Sequence, residues 1–134
     1  MIARKATAST RSEEYEGASV ANSVVEFLPQ ALIAEMLKCS PSSISRWVRG
    51  EAFPGEAARE RLAVLLEVCE TVHDPATPWV ARAWFVAMNP MFSYDTPKNL
   101  FIAGELSSVV DAAREFRTTT ARLKREDQKR QTNG

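Results

Sequence analysis

The sequence predicts an all-α protein, and three features indicate this fold class. Apolar side chains recur every three or four residues along most of the chain, which is the spacing of one face of an α-helix. A hydroxyl residue followed by proline, a preferred start of a helix, occurs at Ser40, Thr77 and Thr96. No segment has a pattern that calls for a β-sheet. We therefore expect a bundle of short helices joined by turns.

The length and composition limit the class of protein. The 134 residues suffice for one ordinary domain, or for two very small ones that share a core. Their apolar content of 45% is typical of a globular protein. No apolar run approaches the roughly 18 residues that span a bilayer, and the N-terminus lacks the apolar stretch of a signal peptide. We therefore predict a cytoplasmic protein without a membrane partner.

Four segments are predicted along the chain. Alanine, serine, threonine and charged residues without clear periodicity indicate a flexible arm over residues 1–20. The proline-rich stretch 74–78 indicates a boundary between a helical domain at 21–73, which contains the motif described below, and a smaller helical domain at 78–117. Polar and basic residues fill a tail at 118–134, for which disorder is the default expectation.

The first domain is expected to contain four helices. Pro29 ends the first helix or opens the second, because proline fits best at a helix start. Ser40 is the expected N-cap of the third helix, and Gly50, which readily adopts a left-handed conformation, is its expected end. The predicted bounds of the four helices are 20–28, 30–38, 41–48 and 56–72.

The second domain is expected to contain three further helices. A Thr-Pro pair at 77–78 starts the first of them, and the Asn-Pro pair at 89–90 ends it. A second Thr-Pro pair, at 96–97, starts a short helix. The last helix is predicted over residues 106–116, and its continuation over residues 117–129 is left open.

The most informative stretch, residues 30–50, predicts a helix-turn-helix. Ala34 is small enough to lie where the first helix passes close to the second, and Ile44 and Trp47 anchor the second helix from below. The corner commonly uses glycine to reach a positive φ. Lys38 occupies it here, at a strain of about 1 kcal/mol if the same conformation is kept. A small protein uses this arrangement to bring side chains against base edges in the DNA major groove.

Polar and basic side chains on the second helix of this motif form the predicted DNA-binding site. Arginine contacts guanine O6 and N7 bidentately, so Arg46 and Arg49 are expected to read bases, assisted by Ser42 and Ser45. Ser40 and the helix N-terminus suit a phosphate oxygen. The predicted partner is a double-stranded DNA operator, bound by a homodimer with recognition helices about 34 Å apart. The predicted DNA-binding residues are Lys38, Ser40, Ser42, Ser43, Ser45, Arg46 and Arg49.

Two families resemble this chain at these residues. Residues 28–54 are similar to the Xre/Cro-type helix-turn-helix repressors, whose recognition helices are commonly of the form SPSSISRWVRG. The segment NPMFSYDTPKNLFIAGELSSVVDAAREF resembles the C-terminal domain of the MbcA/ParS/Xre antitoxins. The residues that match the second family are Trp79, Trp84, Asn89, Pro90, Pro97, Leu100, Gly104, Glu105 and Val109.

The second resemblance implies an antitoxin. Such a protein would repress its own operon, associate with the nucleoid, and hold a RES-domain toxin, an NAD-degrading enzyme, in an inactive complex through its C-terminal end. Family members tend to stop soon after the last helix, whereas this chain continues with RTTTARLKREDQKRQTNG. That tail is expected to occlude a pocket, bind DNA phosphate or be disordered. The alternative is a phage or prophage immunity repressor whose C-terminal half contributes to DNA binding or dimerisation.

Catalysis, metal binding and cofactor binding are not expected. The chain offers no nucleophile–histidine–acid set and no glycine-rich phosphate loop. His73 is the only histidine and no paired cysteine spacing occurs, which argues against a metal site. Cys39 and Cys69 fall on apolar stripes and are expected to be buried thiols rather than a disulfide. A net charge of zero argues against a strong nonspecific coat on DNA.

An aromatic cluster in the second half is expected to lie mostly in the core. A small helical domain cannot easily bury all of it, so part of the cluster is expected at a dimer or toxin interface. Its members are Trp79, Trp84, Phe85, Phe92, Tyr94 and Phe101.

Overall fold

The computed structural model describes residues 17–133, so most of the predicted arm, residues 1–16, lies outside the described residues. Within the described range the chain is helical and has no strand, which confirms the predicted all-α class. The elements are α1 (17–24), α2 (Gln30–Leu37), α3 (Pro41–Arg49), α4 (Glu56–Val72), α5 (Val80–Val86), a 3₁₀ helix (Pro90–Phe92), α6 (Pro97–Ile102) and α7 (Leu106–Asn133).

Helix α1 lies further toward the N-terminus than the sequence predicts. Residues 17–20, which the pattern assigns to the arm, are helical. The chain passes close to its neighbours here, because a Cβ atom on Gly17 would lie 2.8 Å from Cγ of Pro54. The predicted helical residues 25–28 instead form a turn in which the Phe27 amide donates to the Val24 carbonyl. The following proline disfavours a helical conformation for the residue before it.

The predicted helices α3, α4 and α6 are confirmed. Serine and threonine N-caps precede α3 and α6, where the Ser40 side chain accepts from the Ser43 amide and the Thr96 side chain accepts from the Asn99 amide. The Thr-Pro pair at 77–78 behaves differently. Helix α5 begins at Val80 without a side-chain cap, because the residues before it form a turn in which the Thr77 carbonyl accepts from the Val80 amide at 3.0 Å.

The last helix is much longer than its apolar part. The expectation of disorder for the tail is wrong for residues 118–133, which continue α7 to a length of 28 residues. The alternative continuation is therefore confirmed and exceeded. The segment lacks glycine and proline before its end and is rich in arginine, lysine and glutamine, which favour helix. Its side chains from residue 121 to 132 are exposed.

One hydrophobic core contains residues from both halves of the chain. Ile33 and Ile44 of the first half and Phe85 and Phe101 of the second are fully buried in the same cluster. Residues 74–78 therefore connect two halves that share a core, and the division into domains stays a prediction. Cys69 is buried in that core, and burial raises the pKa of its thiol to about 12. Both cysteines of the chain are free thiols.

Helices α4 and α7 pack side by side and run in the same direction. The Arg114 guanidinium lies 3.0 Å from the Glu67 carboxylate, and the Lys124 ammonium lies 2.8 Å from that of Asp74. Glu67 lies on α4 and Asp74 lies just after its end, so both partners advance in the same direction along the chain, which defines the parallel arrangement. Because α4 ends at Val72, the last turns of α7 extend beyond it.

Candidate nucleic-acid and protein interfaces

Helix α3 presents a polar face because its other face is held in the core. Ile44 is fully buried and Trp47 is nearly so, as the predicted anchoring requires. Ala34 of α2 is buried in the same cluster, in keeping with its predicted role as the small residue of the motif. Ser42 and Arg46 are exposed on the opposite side. The helix therefore has the orientation that a recognition helix needs.

The corner between α2 and α3 has the expected left-handed conformation. Lys38 has φ 57° and ψ 44°, so a lysine adopts a conformation that favours glycine. The Cys39 amide donates to the Ala34 carbonyl at 3.0 Å, which closes the turn. The Lys38 side chain is exposed and places a cation beside the start of α3.

Two of the predicted DNA-binding serines hold the start of α3. The Ser43 amide donates to Ser40 Oγ at 3.2 Å, and the two hydroxyl oxygens lie 3.1 Å apart. This geometry satisfies one of the free amides at the helix start. Ser40 and Ser43 therefore fix the N-terminus of α3, while Ser42 is exposed beside them.

Arg49 is held by two neighbours, one of which the sequence does not indicate. Its Nη1 donates to Ser45 Oγ at 2.7 Å. Its Nε and Nη2 donate to the two carboxylate oxygens of Glu51 at 3.0 and 3.1 Å. The hydrogen bond from Arg49 and the charge of Arg49 lower the pKa of Glu51, and the charge of Arg46 adds to this. The same pair raises the pKa of Arg49.

The missed residue, Glu51, follows from the turn at the end of α3. Gly50 has φ 74°, and this left-handed residue reverses the chain so that Arg49 and Glu51 face each other. A left-handed glycine between an arginine and a glutamate is the only signal in the sequence for this contact.

The arrangement suits recognition of a base edge. A guanidinium has five N–H groups, of which Ser45 and Glu51 accept three, and one N–H remains on each terminal nitrogen. A bidentate contact to guanine needs two such groups. Arg46 makes no salt bridge within residues 17–133. The site thus combines one arginine held by two neighbours with one that has no salt bridge in this range.

A second candidate surface is an apolar groove between α5, the 3₁₀ helix and α7. Its volume is about 550 Å³. Trp84 lies in its floor, with its ring centroid 6.4 Å from that of Phe116. Met88 and Met91 stand at its edge with 72% and 54% of their surface exposed. The apolar residues that line the groove are Val80, Ala83, Trp84, Ala87, Met88, Pro90, Met91, Ala112 and Phe116.

The aromatic cluster divides as expected between core and surface. Trp84, Phe85 and Phe101 are buried, whereas Trp79 and Tyr94 are about two-thirds exposed, at 65% and 67%. Exposed aromatic and methionine side chains are typical of protein interfaces.

Neither a metal cluster nor a membrane span adds to these surfaces. Within residues 17–133 no group of three histidine, cysteine, aspartate or glutamate side chains could hold a metal ion. No helix in the same range is both long enough and apolar enough to cross a bilayer.

The chain is similar to known proteins in sequence and in fold. No protein-family profile matches the chain. The chain is 26% identical over 78 residues to the mycobacterial cidal antitoxin MbcA of Mycobacterium tuberculosis and of Mycobacterium bovis, a match that covers 58% of this chain and 69% of the antitoxin. Its fold is similar to a chain of the crystal structure of the M. tuberculosis MbcT–MbcA toxin–antitoxin complex, with a TM-score of 0.58 and 25% identity over 73% of this chain and 93% of that one. The chain is thus similar to the antitoxin MbcA in sequence, and its fold matches a chain of the complex that contains MbcA.

Proposed function

We propose that this protein is an antitoxin that binds a protein toxin and holds it inactive. The observation that supports this best is the similarity of the chain to MbcA, together with its structural likeness to a chain of the MbcT–MbcA complex. The resemblance of the second half to the MbcA/ParS/Xre antitoxins favours a RES-domain toxin as the partner. The antitoxin itself acts by binding rather than by catalysis.

The apolar groove is the surface we assign to the toxin. It is large and open, and its lining is mostly apolar. Met88 has 72% of its surface exposed and lies beside the exposed Met91. Exposed apolar patches of this kind mark protein interfaces. A side chain from the toxin that fills the groove would cover the exposed Met88 and Met91 at its edge and exclude water from it.

The test is binding and inhibition of a RES-type toxin encoded beside this chain. Met88→Asp places a charge at the groove edge and is expected to weaken the complex at least about tenfold, because burying an unpaired charge is costly. The matched control is Val86→Asp, at the last residue of α5, two residues before Met88 and outside the groove, and it is expected to leave affinity unchanged. An equal effect of the two variants would argue against the groove as the toxin site. Failure of the wild-type chain to bind the toxin would argue against the antitoxin.

A second function, sequence-specific repression, is favoured by the geometry of α3. The left-handed corner, the serine cap and the polar face of Arg46, Ser42 and Arg49 form a docking surface that suits a major groove. We therefore infer a homodimer that binds an operator in its own promoter. Lys38, Ser40 and Ser43 lie near the helix start, where they suit phosphate contacts.

Arg46→Ala tests this function. The variant is expected to lose about 1–3 kcal/mol of binding to the DNA upstream of the gene and to relax preference at one base pair. Arg82→Ala, on the exposed side of α5, is the control. An unchanged ratio of upstream to scrambled DNA would contradict the role of α3. Operator binding without toxin binding would favour a phage-type repressor.

A further inference from the structure

We propose that the end of α7 is a second DNA-contacting surface, which binds the phosphate backbone without regard to sequence. We define the α7 extension as residues 117–133. This inference rests on the proposed DNA-binding function and assigns it a further site outside the helix-turn-helix.

Charge is unevenly distributed between the α7 extension and the rest of the described chain. Residues 17–116 contain eight lysines and arginines and twelve aspartates and glutamates, a net charge of −4. The α7 extension contains six basic and two acidic residues, a net charge of +4. The neutral total of the chain therefore conceals an acidic body that carries a basic helix.

The predicted recognition motif has no excess of positive charge. Residues 17–55 have equal numbers of basic and acidic residues, and one of the three basic ones, Arg49, is paired with Glu51. Affinity for DNA depends largely on neutralising phosphates with lysine and arginine. The helix-turn-helix suits base recognition, but it supplies little of this electrostatic term.

Three basic residues of the α7 extension lie on the same face of the helix. Phe116 and Thr120 border a groove against the α4–α5 connection, and Lys124 bonds to Asp74, so these positions define the inner face of α7. At 100° per residue, Arg122, Arg125 and Lys129 lie together on the opposite face. All three are exposed. They form a row at spacings i, i+3 and i+7, about 10 Å long at 1.5 Å per residue.

This row of like charges does not stabilise the helix. Like charges three or four residues apart oppose helix formation. Within residues 17–133, none of Arg122, Arg125 and Lys129 forms a salt bridge. A row of cations matches a linear polyanion, and DNA has one phosphate charge per about 1.7 Å of helix axis. The DNA backbone is therefore the partner that the charge and the geometry favour.

The experiment compares the wild-type chain with the triple variant Arg122→Gln, Arg125→Gln, Lys129→Gln. Glutamine favours helix about as well as lysine and arginine do, so circular dichroism should show the helix retained. Binding is measured between 50 and 200 mM salt, to a 30-base-pair duplex of random sequence and to the DNA upstream of the gene. Each lost phosphate contact lowers the salt slope by about 0.9. Raising the salt from 50 to 200 mM lowers the affinity of both proteins. The drop should be about 40-fold smaller for the triple variant than for wild type, equally on both duplexes.

Single variants provide a matched control. Arg125→Gln should lower the salt slope by about 0.9, the value for one phosphate contact. Arg82 is an exposed arginine outside the extension, and Arg82→Gln should leave the slope unchanged. An unchanged slope in the triple variant, with DNA binding still sensitive to Arg46→Ala, would overturn the role of the extension and leave the proposed repressor intact. Loss of toxin binding with unaltered DNA binding would also overturn it, in favour of a protein contact. If the wild-type chain bound neither duplex, the proposed repressor function and the proposed role of the α7 extension would fail together.

Discussion

The two candidate surfaces differ in kind. The exposed face of α3 is polar, and its side chains are ordered by local hydrogen bonds among Ser40, Ser43, Ser45, Arg49 and Glu51. The groove on the second half is mostly apolar, and its polar lining residues are Asn89, Glu115 and Thr119. The first kind of surface suits hydrogen bonding to a nucleic acid, and the second suits burial against a protein. One small chain thus presents two chemistries that do not compete for the same residues.

The two surfaces are nevertheless joined by a single core. Within residues 17–133, three partly exposed ion pairs also hold the second half: Glu35–Lys98 and Glu67–Arg114 reach the first half, and Asp74–Lys124 reaches the connection between the halves. Exposed pairs contribute little to stability. The shared burial, rather than these charges, therefore holds the halves together and couples their unfolding.

The largest effect is expected where the halves share their core. Phe101 is fully buried in α6, which packs against α2, α5 and α7. Phe101→Ala is expected to lower the free energy of unfolding by about 3–5 kcal/mol, through lost burial and a cavity. Urea unfolding followed by circular dichroism and tryptophan fluorescence should show one transition, whereas Met91→Ala at an exposed site should shift it little. Two separate transitions would show that the halves fold independently.

A smaller effect is expected from the acid beside the predicted base-reading arginine. Glu51→Gln removes a negative charge from the predicted DNA-binding face and loosens the hold on Arg49. We expect affinity for all DNA to rise by less than about tenfold, while the preference for the upstream DNA falls. Competition between upstream and scrambled duplexes measures both quantities. If Glu51→Gln kept the full preference, Glu51 would not position Arg49, and Glu56→Gln, at the first residue of α4, is the control for charge alone.

The corner between α2 and α3 permits a test in which stability and binding are expected to change in opposite directions. Lys38→Gly relieves a left-handed conformation and is expected to stabilise the fold by up to about 1 kcal/mol. It should weaken DNA binding, because the predicted phosphate contact is lost. Gly50→Ala is the counterpart. Its φ is 74° and no atom lies within 4 Å of the new Cβ, so backbone strain alone should destabilise it. A destabilised Lys38→Gly would show that the lysine side chain makes a contact that outweighs the strain.

The smallest effect is expected at the base of the α7 extension. The Lys124 ammonium and the Ala76 amide donate to Asp74 and lower the pKa of that carboxyl below its ordinary value of 3.8. A pKa lowered by folding stabilises the protein above the unfolded value and loses that effect as pH falls through the folded one. Asp74→Asn should therefore lower the melting temperature slightly at pH 6, and this difference should shrink as the pH falls below 3.8. A difference that persisted at low pH would exclude this ion pair as its cause.

Much of the local structure was predictable, because it depends on neighbours in the sequence. Ser40 and Thr96 cap helices through contacts three residues away, and Gly50 ends α3 through its own backbone freedom. Thr77 failed as a cap because the connection from α4 turns before α5 begins. The placement of the predicted DNA-binding residues on an exposed face followed from helical periodicity around Ile44 and Trp47. Their contact with DNA stays a prediction.

The extended part of α7 was harder to predict. Its composition suits both a solvated helix and a disordered tail, since no apolar stripe distinguishes the two. The contact of Lys124 with Asp74 connects residues 50 positions apart, and no local pattern encodes it. Glu51 was missed for a different reason, because a pair that faces across a turn has no periodic signal.

The sequence by itself determined the all-α class, most of the helix bounds and the polar face of α3, because helix propensity, capping and periodicity act over a few residues. The tertiary structure decided the rest. It placed both halves around one core, set α7 parallel to α4, opened the groove beside Trp84 and directed the row of Arg122, Arg125 and Lys129 away from the acidic body. These features depend on packing between residues that are distant in the chain, where close contact and burial rather than local preference set the geometry.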